Sequence, residues 1–160
     1  PKSKNGKSYQ ISKSLNTLSA LLFVFVFITI FSGALVAGTD AGFYFNTFPL
    51  MEGSIVPENY LPQPWYVSTF EDIGTVQFHH RIIAIITFII AIITWWHSRW
   101  IAIKKRARMA ANILIIVALL QVTLGISTLV MGVPVALAVL HQTFAVLLLT
   151  ASIWFVFELR

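Results

Sequence analysis

The chain has 160 residues, of which 58% are hydrophobic and 11% are charged, and its formal net charge is +5. Soluble domains carry roughly 25% charged residues, so this composition excludes an ordinary soluble domain and favours a membrane protein. The sequence contains no cysteine, which excludes disulfides, thiolate metal sites and cysteine nucleophiles.

Four long apolar blocks predict the architecture. They lie at about residues 17–37, 75–96, 109–131 and 135–157. Each is near the roughly 20 residues that an α-helix needs to cross the hydrocarbon core of a bilayer. The first block is too long for the core of a signal peptide and lacks a convincing cleavage site. We therefore predict an all-α fold, an integral membrane antiparallel four-helix bundle over residues 15–160.

Residues 1–14 precede the bundle and are predicted to form a cytoplasmic or matrix linker. Because the chain begins with Pro1 rather than Met, we expect a fragment or a processed product. Ten of the eleven basic residues lie on one side of the predicted topology, namely Lys2, Lys4, Lys7, Lys13, Arg99, Lys104, Lys105, Arg106, Arg108 and Arg160. By the positive-inside rule, both termini face the cytoplasm or matrix. We interpret the charge as a topogenic signal, with the lipid bilayer and no nucleic acid as partner.

The segment 38–74 is predicted to be the one long loop, and it faces outward. It holds five acidic residues, eight aromatic residues and no Lys or Arg. A loop of this length is long enough to be functional or to carry its own structure. Its aromatic residues equally suit an ordinary interfacial belt. Both interpretations remain open at this point.

The stretch QFHHR at residues 77–81 places ionisable groups at the outer edge of the second block. His80 in this stretch and His141 in the fourth block both lie five or six residues inside the outer boundary. This corresponds to the same depth, roughly 8–9 Å at 1.5 Å per residue. Ionisable groups at such depth usually face the bundle interior and mark a functional site. His97, beside three tryptophans at the inner end, is expected at the membrane interface.

Helical stripes of mostly small residues run past both histidines and along the other two blocks. At the spacing of one helical face, they comprise His80, Ala84, Thr87 and Ala91; His141, Ala145, Leu148 and Ser152; Gln121, Gly125 and Thr128; and Thr29, Gly33 and Ala37. An alanine one turn deeper than each histidine leaves room for something flat beside the imidazole. The same small residues also suit close helix packing, and the two uses are compatible.

Several ligands must be weighed for two neutral imidazoles at equal depth. Structural zinc usually needs four ligands, and non-haem iron needs a carboxylate beside two histidines; neither set is available at this depth. Haem needs only two axial nitrogens, which facing helices of a bundle readily supply. Its propionates would then reach Arg81, which alternatively extends to lipid phosphate. A proton or ion pathway and ordinary packing histidines remain open alternatives.

Four motifs carry a resemblance to a known family. GALVAGTDAGFYFNTFPLMEG at Gly33–Gly53, VQFHHR at Val76–Arg81, QVTLGISTL at Gln121–Leu129 and LHQ at Leu140–Gln142 all resemble the haem A synthase family, in matching order. The resemblance implies an oxidoreductase with eight transmembrane helices in two four-helix halves, each with a histidine pair. It converts haem O to haem A by oxidising a ring methyl to a formyl group.

This chain resembles the C-terminal half of such an enzyme, which is inactive without the N-terminal half. The resemblance implies a b-type haem cofactor with His80 and His141 as axial ligands and Arg81 as propionate partner. Gln77 and Gln142 are predicted to donate hydrogen bonds to imidazole, propionate or water. The location implied is a bacterial plasma membrane or a mitochondrial inner membrane. A homo-oligomer is compatible with the sequence, and the electron donor is open.

Two departures from the family pattern bear on function. The catalytic half carries a glutamate three residues before its histidine, and here that position is Gln77, which cannot act as a carboxylate base. We therefore expect no catalytic residue in this half. His79 points about 100° away from His80 on a helix, so we place it outside the iron ligands.

The outer loop, including Asp40, Asn46 and Trp65, is expected to cover the haem edge or to meet an electron donor. The alternatives are a stand-alone bis-histidine cytochrome and a proton-linked component without haem.

Overall fold

The computed structural model describes residues 13–160, so the predicted linker, apart from Lys13 and Ser14, lies outside the described residues. The described part contains five α-helices and one short 3₁₀-helix. The α-helices are α1 (Lys13–Gly38), α2 (Trp65–Glu71), α3 (Ile73–Arg99), α4 (Lys105–Val130) and α5 (Val135–Glu158), and the 3₁₀-helix is Ala41–Phe43. No strand is assigned within residues 13–160, which confirms the all-α prediction.

Four of the helices, α1, α3, α4 and α5, are long and apolar enough to cross a membrane. They have 24 to 27 residues, or about 36–40 Å at 1.5 Å per residue, which exceeds the roughly 30 Å of a hydrocarbon core. The chain is an integral membrane helical bundle, as predicted. The helices run a few residues beyond most of the apolar blocks, because α3 and α4 continue into polar and basic residues at the membrane surface.

Local signals explain where two of the membrane helices begin and end. Asp72 precedes α3, and its carboxylate accepts a hydrogen bond from the backbone N–H of Thr75 at 2.8 Å, which satisfies one of the free donors of the first turn. After α4, Gly132 adopts a φ of +72°, a left-handed conformation that glycine adopts without steric cost. The chain then turns directly into α5.

The four membrane helices form a ring in which each has two main neighbours. α1 packs against α3 and α5, and α4 packs against the same two helices. α3 and α5 therefore occupy opposite corners of the bundle. Because α1, α3, α4 and α5 alternate in direction, α3 and α5 also run parallel, and residues at equal depth on them lie at the same level of the bundle.

The apolar core fills only the inner half of this bundle. Its members are fully or nearly fully buried: Leu15, Leu22, Val26, Ala91, Ala110, Ala111, Leu114, Ala118, Leu148, Ala151 and Phe155. The five alanines allow close approach of the helix backbones. In the outer half, the buried side chains of the membrane helices are mainly polar, namely Ser32, Thr75, Gln77 and Thr128 beside Val76, so the apolar core does not continue into this half.

The outer segment between α1 and α3 is more structured than a loop. It contains the 3₁₀-helix Ala41–Phe43 and the helix α2, and Met51 and Ser54 exchange backbone hydrogen bonds across a turn. Residues of the first turns of α3 hold it in place. Thr75 accepts a hydrogen bond from the backbone N–H of Leu61 at 3.1 Å, and further contacts of this kind are made by the QFHHR stretch.

Candidate functional site

The two deep histidines lie in the outer half of the bundle, above the apolar core. His80 belongs to α3 and His141 to α5, the two helices at opposite corners. Both side chains are partly buried. The structure thus brings the predicted pair to the inside of the bundle, on helices that face each other and not on adjacent ones.

Ser32 is the hydrogen-bond partner of Nδ1 of His80. The Ser32 hydroxyl donates to the backbone carbonyl of Thr29 at 2.9 Å, and its oxygen lies 2.9 Å from Nδ1 of His80. Because a hydroxyl has one proton, Ser32 can donate to only one of these two partners, and when it donates to Thr29 the contact with His80 is donated by Nδ1–H. The Nε2 atom of His80 then keeps a free lone pair, which is the form in which histidine binds a metal.

A glycine on the preceding membrane helix makes room for each histidine ring. A methyl group built on Gly33 of α1 would lie 3.1 Å from Cε1 of His80, and one on Gly125 of α4 would lie 2.9 Å from Cε1 of His141. Both rings therefore rest directly against a helix backbone. Both glycines belong to the small-residue stripes predicted from the sequence, and in the structure they let the histidine rings approach the helix backbone.

His141 has weaker polar contacts than His80. Its Nε2 lies 3.5 Å from the side-chain nitrogen of Gln121, at the limit of a hydrogen bond. Its Nδ1 and the side-chain oxygen of Gln121 are both buried and lack a hydrogen-bond partner among the described residues. Buried polar atoms are normally satisfied, so these two atoms are available to form hydrogen bonds with a further group in the site.

Arg81 lies at the outer rim of the site, and its hydrogen-bond acceptors within residues 13–160 include no carboxylate. Its guanidinium donates to the carbonyl oxygens of Phe45 at 2.8 Å and Leu50 at 3.3 Å, and to the side-chain oxygen of Gln77 at 3.3 Å. Its Nε is buried without a partner among residues 13–160. These hydrogen-bond acceptors are all neutral, so an anionic group at this rim would be stabilised.

Gln77 does not contact either histidine of the pair by a hydrogen bond. It is 2% exposed, and its amide nitrogen donates to the carbonyl oxygens of Ala41 at 3.0 Å and Phe45 at 3.3 Å. The structure therefore assigns its donors to the outer segment. Gln142, the other predicted amide, is exposed on α5, and its role stays a prediction.

The two remaining histidines lie apart from the site. Nε2 of His79 is 3.1 Å from the hydroxyl of Tyr60, and the two rings meet edge to face. Nε2 of His97 lies 2.7 Å from the hydroxyl of Ser14 at the inner end. His79 thus helps to hold the outer segment, and His80 is the histidine of the QFHHR stretch that faces α1 and the bundle interior.

The donor set restricts what the site can hold. Among residues 13–160, no group of three or more His, Cys, Asp or Glu side chains could hold a metal ion. Two imidazoles on opposite helices, each resting against a glycine, could instead occupy the two axial positions of a metal held in a planar group. Sequence reasoning missed Ser32 as a partner of His80. Its position three residues after Thr29 was the available signal.

The described residues form a bundle of four membrane-spanning helices with one histidine on each of two opposite helices, an architecture in which side chains on facing helices can build a ligand or cofactor site. The family model COX15-CtaA, described as cytochrome oxidase assembly protein, matches residues 2–153. The chain belongs to this family, which confirms the resemblance found from the motifs.

Curated relatives support the same assignment. The chain is 45% identical to a "Heme A synthase" of Nitrosospira multiformis over 92% of this chain and 42% of the relative. It is 44% identical to "Heme A synthase COX15" of Homo sapiens over 84% of this chain and 33% of the relative. It is 35% identical to a "Heme A synthase" of Wolbachia pipientis over 96% of this chain and 43% of the relative. The chain spans about a third to two fifths of the length of these relatives. No solved structure is significantly similar to it.

Proposed function

We propose that this chain is the C-terminal, b-type haem-binding half of a haem A synthase, with His80 and His141 as the axial ligands of the haem iron. The observation that carries the proposal is the pair of imidazoles on opposite helices, each lying against a glycine. The names of the relatives support a role in haem A synthesis, and by the family resemblance this reaction oxidises a methyl group of haem O to the formyl group of haem A.

Each residue of the site has a task in this proposal. Ser32 keeps the proton of His80 on Nδ1, so that Nε2 can bind iron. Arg81 supplies the positive charge that a propionate would pair with, and its unpartnered Nε supports this role. The apolar core below the pair excludes water from the inner side. A bound haem would supply one-electron chemistry at its iron.

The absence of a carboxylate at position 77 supports a cofactor role over a catalytic one. The amide of Gln77 is occupied by backbone carbonyls of the outer segment, and an amide cannot act as a proton-accepting carboxylate. In this proposal the oxidation of haem O needs the other half of the enzyme.

Both termini of this half face the cytoplasm or matrix, because the basic residues collect at the inner ends. Assembly into a homo-oligomer is compatible with this arrangement.

A chimaeric enzyme tests the proposed function. The matching segment of a curated relative is replaced by this chain in cells that lack haem A synthase, and the haem A content of their membranes is measured by chromatography. We expect haem A to be restored, and we expect the chimaera with His80→Ala to make none. His79→Ala is the matched control, because this neighbouring histidine contacts Tyr60 instead, and it should retain synthesis.

Two outcomes of this experiment would contradict the proposal. A chimaera with the intact histidine pair that reaches the membrane but makes no haem A would argue against a synthase role. Equal haem A synthesis with and without His80 would show that the histidine pair does not hold the cofactor.

A further inference from the structure

The residues Ala41 to Leu50, here called the outer cap, lie across the outer end of the bundle. Gln77 and Arg81 bind the cap to α3. Asn46 donates to the carbonyl of Leu129 near the outer end of α4 at 3.1 Å. A methyl group built on Gly42 would lie 3.1 Å from Cγ2 of Val133, in the turn between α4 and α5. Since α1 leads directly into it, the cap contacts or joins α1, α3, α4 and the turn that leads into α5.

The histidine pair lies beneath this cap. On α3, His80 is three residues after Gln77 and directly before Arg81, so it lies within one helical turn of both residues that bind the cap. On the other side of the pair, fully buried side chains such as Leu22, Leu114 and Phe155 fill the inner half. A flat group the size of a porphyrin cannot pass that layer without unpacking it. The remaining routes to the pair are the outer end and the lipid-facing gaps between helices.

The cap is fastened in a way that allows it to open. Its large side chains Phe43 and Tyr44 are 58% and 59% exposed, and Phe48 and Leu50 are also exposed. Few apolar side chains of the cap are therefore buried against the bundle. Hydrogen bonds from a few side chains to the cap backbone hold it instead. Segments with few buried apolar contacts open at lower cost than the core does, so the cap can lift while the inner half stays packed.

We infer that the outer cap is the gate through which haem reaches the histidine pair, and that the buried amide of Gln77 is its latch. This inference rests on the proposed function, because it assumes that haem binds between His80 and His141. Gln77 is a positioning residue in this account. It donates to two cap carbonyls and accepts from Arg81, so it holds both the cap and the guanidinium in place.

A reversible lock on the cap tests the gate. The chain contains no cysteine, so Gly42→Cys with Val133→Cys introduces one defined pair. Their side chains would start within reach of a disulfide, given the 3.1 Å approach at this position. The apoprotein is oxidised or left reduced, the disulfide is verified by mass spectrometry, and uptake of ferric haem b is followed by absorbance. The two single variants control for the oxidant and the reductant.

We expect the oxidised double variant to take up haem at least 10-fold more slowly than the reduced form, and reduction to restore the rate. Equal rates in the two forms would overturn the gate and indicate a route between the helices, while the proposed function would stand because haem still binds. If neither form nor the wild type binds haem, the proposed function fails and the gate fails with it.

Gln77→Glu tests the latch separately, without any crosslink. A carboxylate cannot donate to the carbonyls of Ala41 and Phe45, so the cap should open more often. We expect transfer of bound haem to excess apomyoglobin to accelerate at least 5-fold, with a low-spin absorbance spectrum that stays unchanged. Thr69→Ala is the control, since the Thr69 hydroxyl donates to the carbonyl of Trp65 within α2, and its transfer rate should match the wild type. A Gln77→Glu rate equal to the control rate would overturn the latch.

Discussion

The hydroxyl oxygen of Ser32 lies 2.9 Å from Nδ1 of His80 and joins α1 to the histidine of α3. This bond orients the imidazole and leaves Nε2 free, which is the arrangement usually found around metal-binding histidines. The first membrane helix thereby positions the histidine of the second, because Ser32 is itself held by the carbonyl of Thr29 on α1.

Removing this hydroxyl should weaken haem binding without unfolding the bundle. We expect Ser32→Ala to lower haem affinity about 10-fold, since partners of metal ligands typically contribute 10- to 100-fold in affinity. Titration of the apoprotein with ferric haem b measures it. Ser19→Ala removes a buried α1 hydroxyl in the inner half, where it bonds to Asn16, and should leave the affinity unchanged. Equal affinities in the two variants would remove Ser32 from the site.

The two glycines beside the histidines should respond differently to a methyl group. The built methyl is 2.9 Å from His141 at Gly125, 3.1 Å from His80 at Gly33, and free of contacts within 4 Å at Gly38. Overpacking costs about 1–3 kcal/mol. Haem occupancy after purification should therefore fall most in Gly125→Ala, less in Gly33→Ala and not at all in Gly38→Ala. A different order would show that the rings can move away from the helix backbones.

The positive charge of Arg81 should contribute to haem binding by pairing with the propionates. The wild type is expected to bind haem b about 10-fold more tightly than its dimethyl ester, because a hydrogen bond to a charged group contributes about 1.5–3 kcal/mol. In Arg81→Gln this preference should shrink towards one. Arg108→Gln is the matched control, because Arg108 also donates to backbone carbonyls but at the inner end. An undiminished preference in Arg81→Gln would place the propionates elsewhere.

The apolar core should carry stability independently of the site. Leu114 is 1% exposed in the inner half, and a buried Leu→Ala change costs about 2–5 kcal/mol. We expect Leu114→Ala to lower the melting temperature of the apoprotein while the ligand spectrum of the haem-loaded form is unchanged. Leu119→Ala, at a position that is 51% exposed on the same helix, should melt like the wild type. A changed haem spectrum in Leu114→Ala would mean that core and site are not separate.

The membrane helices and the histidine pair could be predicted from the sequence because each depends on a local pattern. Apolar blocks of spanning length specify the helices, and the depth of His80 matches that of His141 within them. The arrangement of α3 and α5 at opposite corners required the structure, because short connections specify antiparallel neighbours but not the order of four helices around a ring.

The outer segment could not be predicted for a different reason. Its position depends on side chains of α3 that donate to backbone carbonyls, such as Gln77 to Ala41 and Arg81 to Phe45. Carbonyl acceptors are present at every residue and leave no mark in the sequence. Gln77 was accordingly predicted to serve the haem, whereas its hydrogen bonds go to the cap. Ser32 was missed because its partner is 48 residues away.

The axial ligation of haem by His80 and His141 is tested most directly by the ferric spectrum of the haem-loaded chain. We predict a low-spin bis-histidine signal in the wild type, and we expect this signal to become high-spin or to disappear in both His80→Ala and His141→Ala. Added imidazole should restore the low-spin signal in each variant by occupying the vacated axial position. His79→Ala should keep the low-spin signal. A low-spin spectrum that survives either alanine substitution at His80 or His141 without added imidazole would contradict the account.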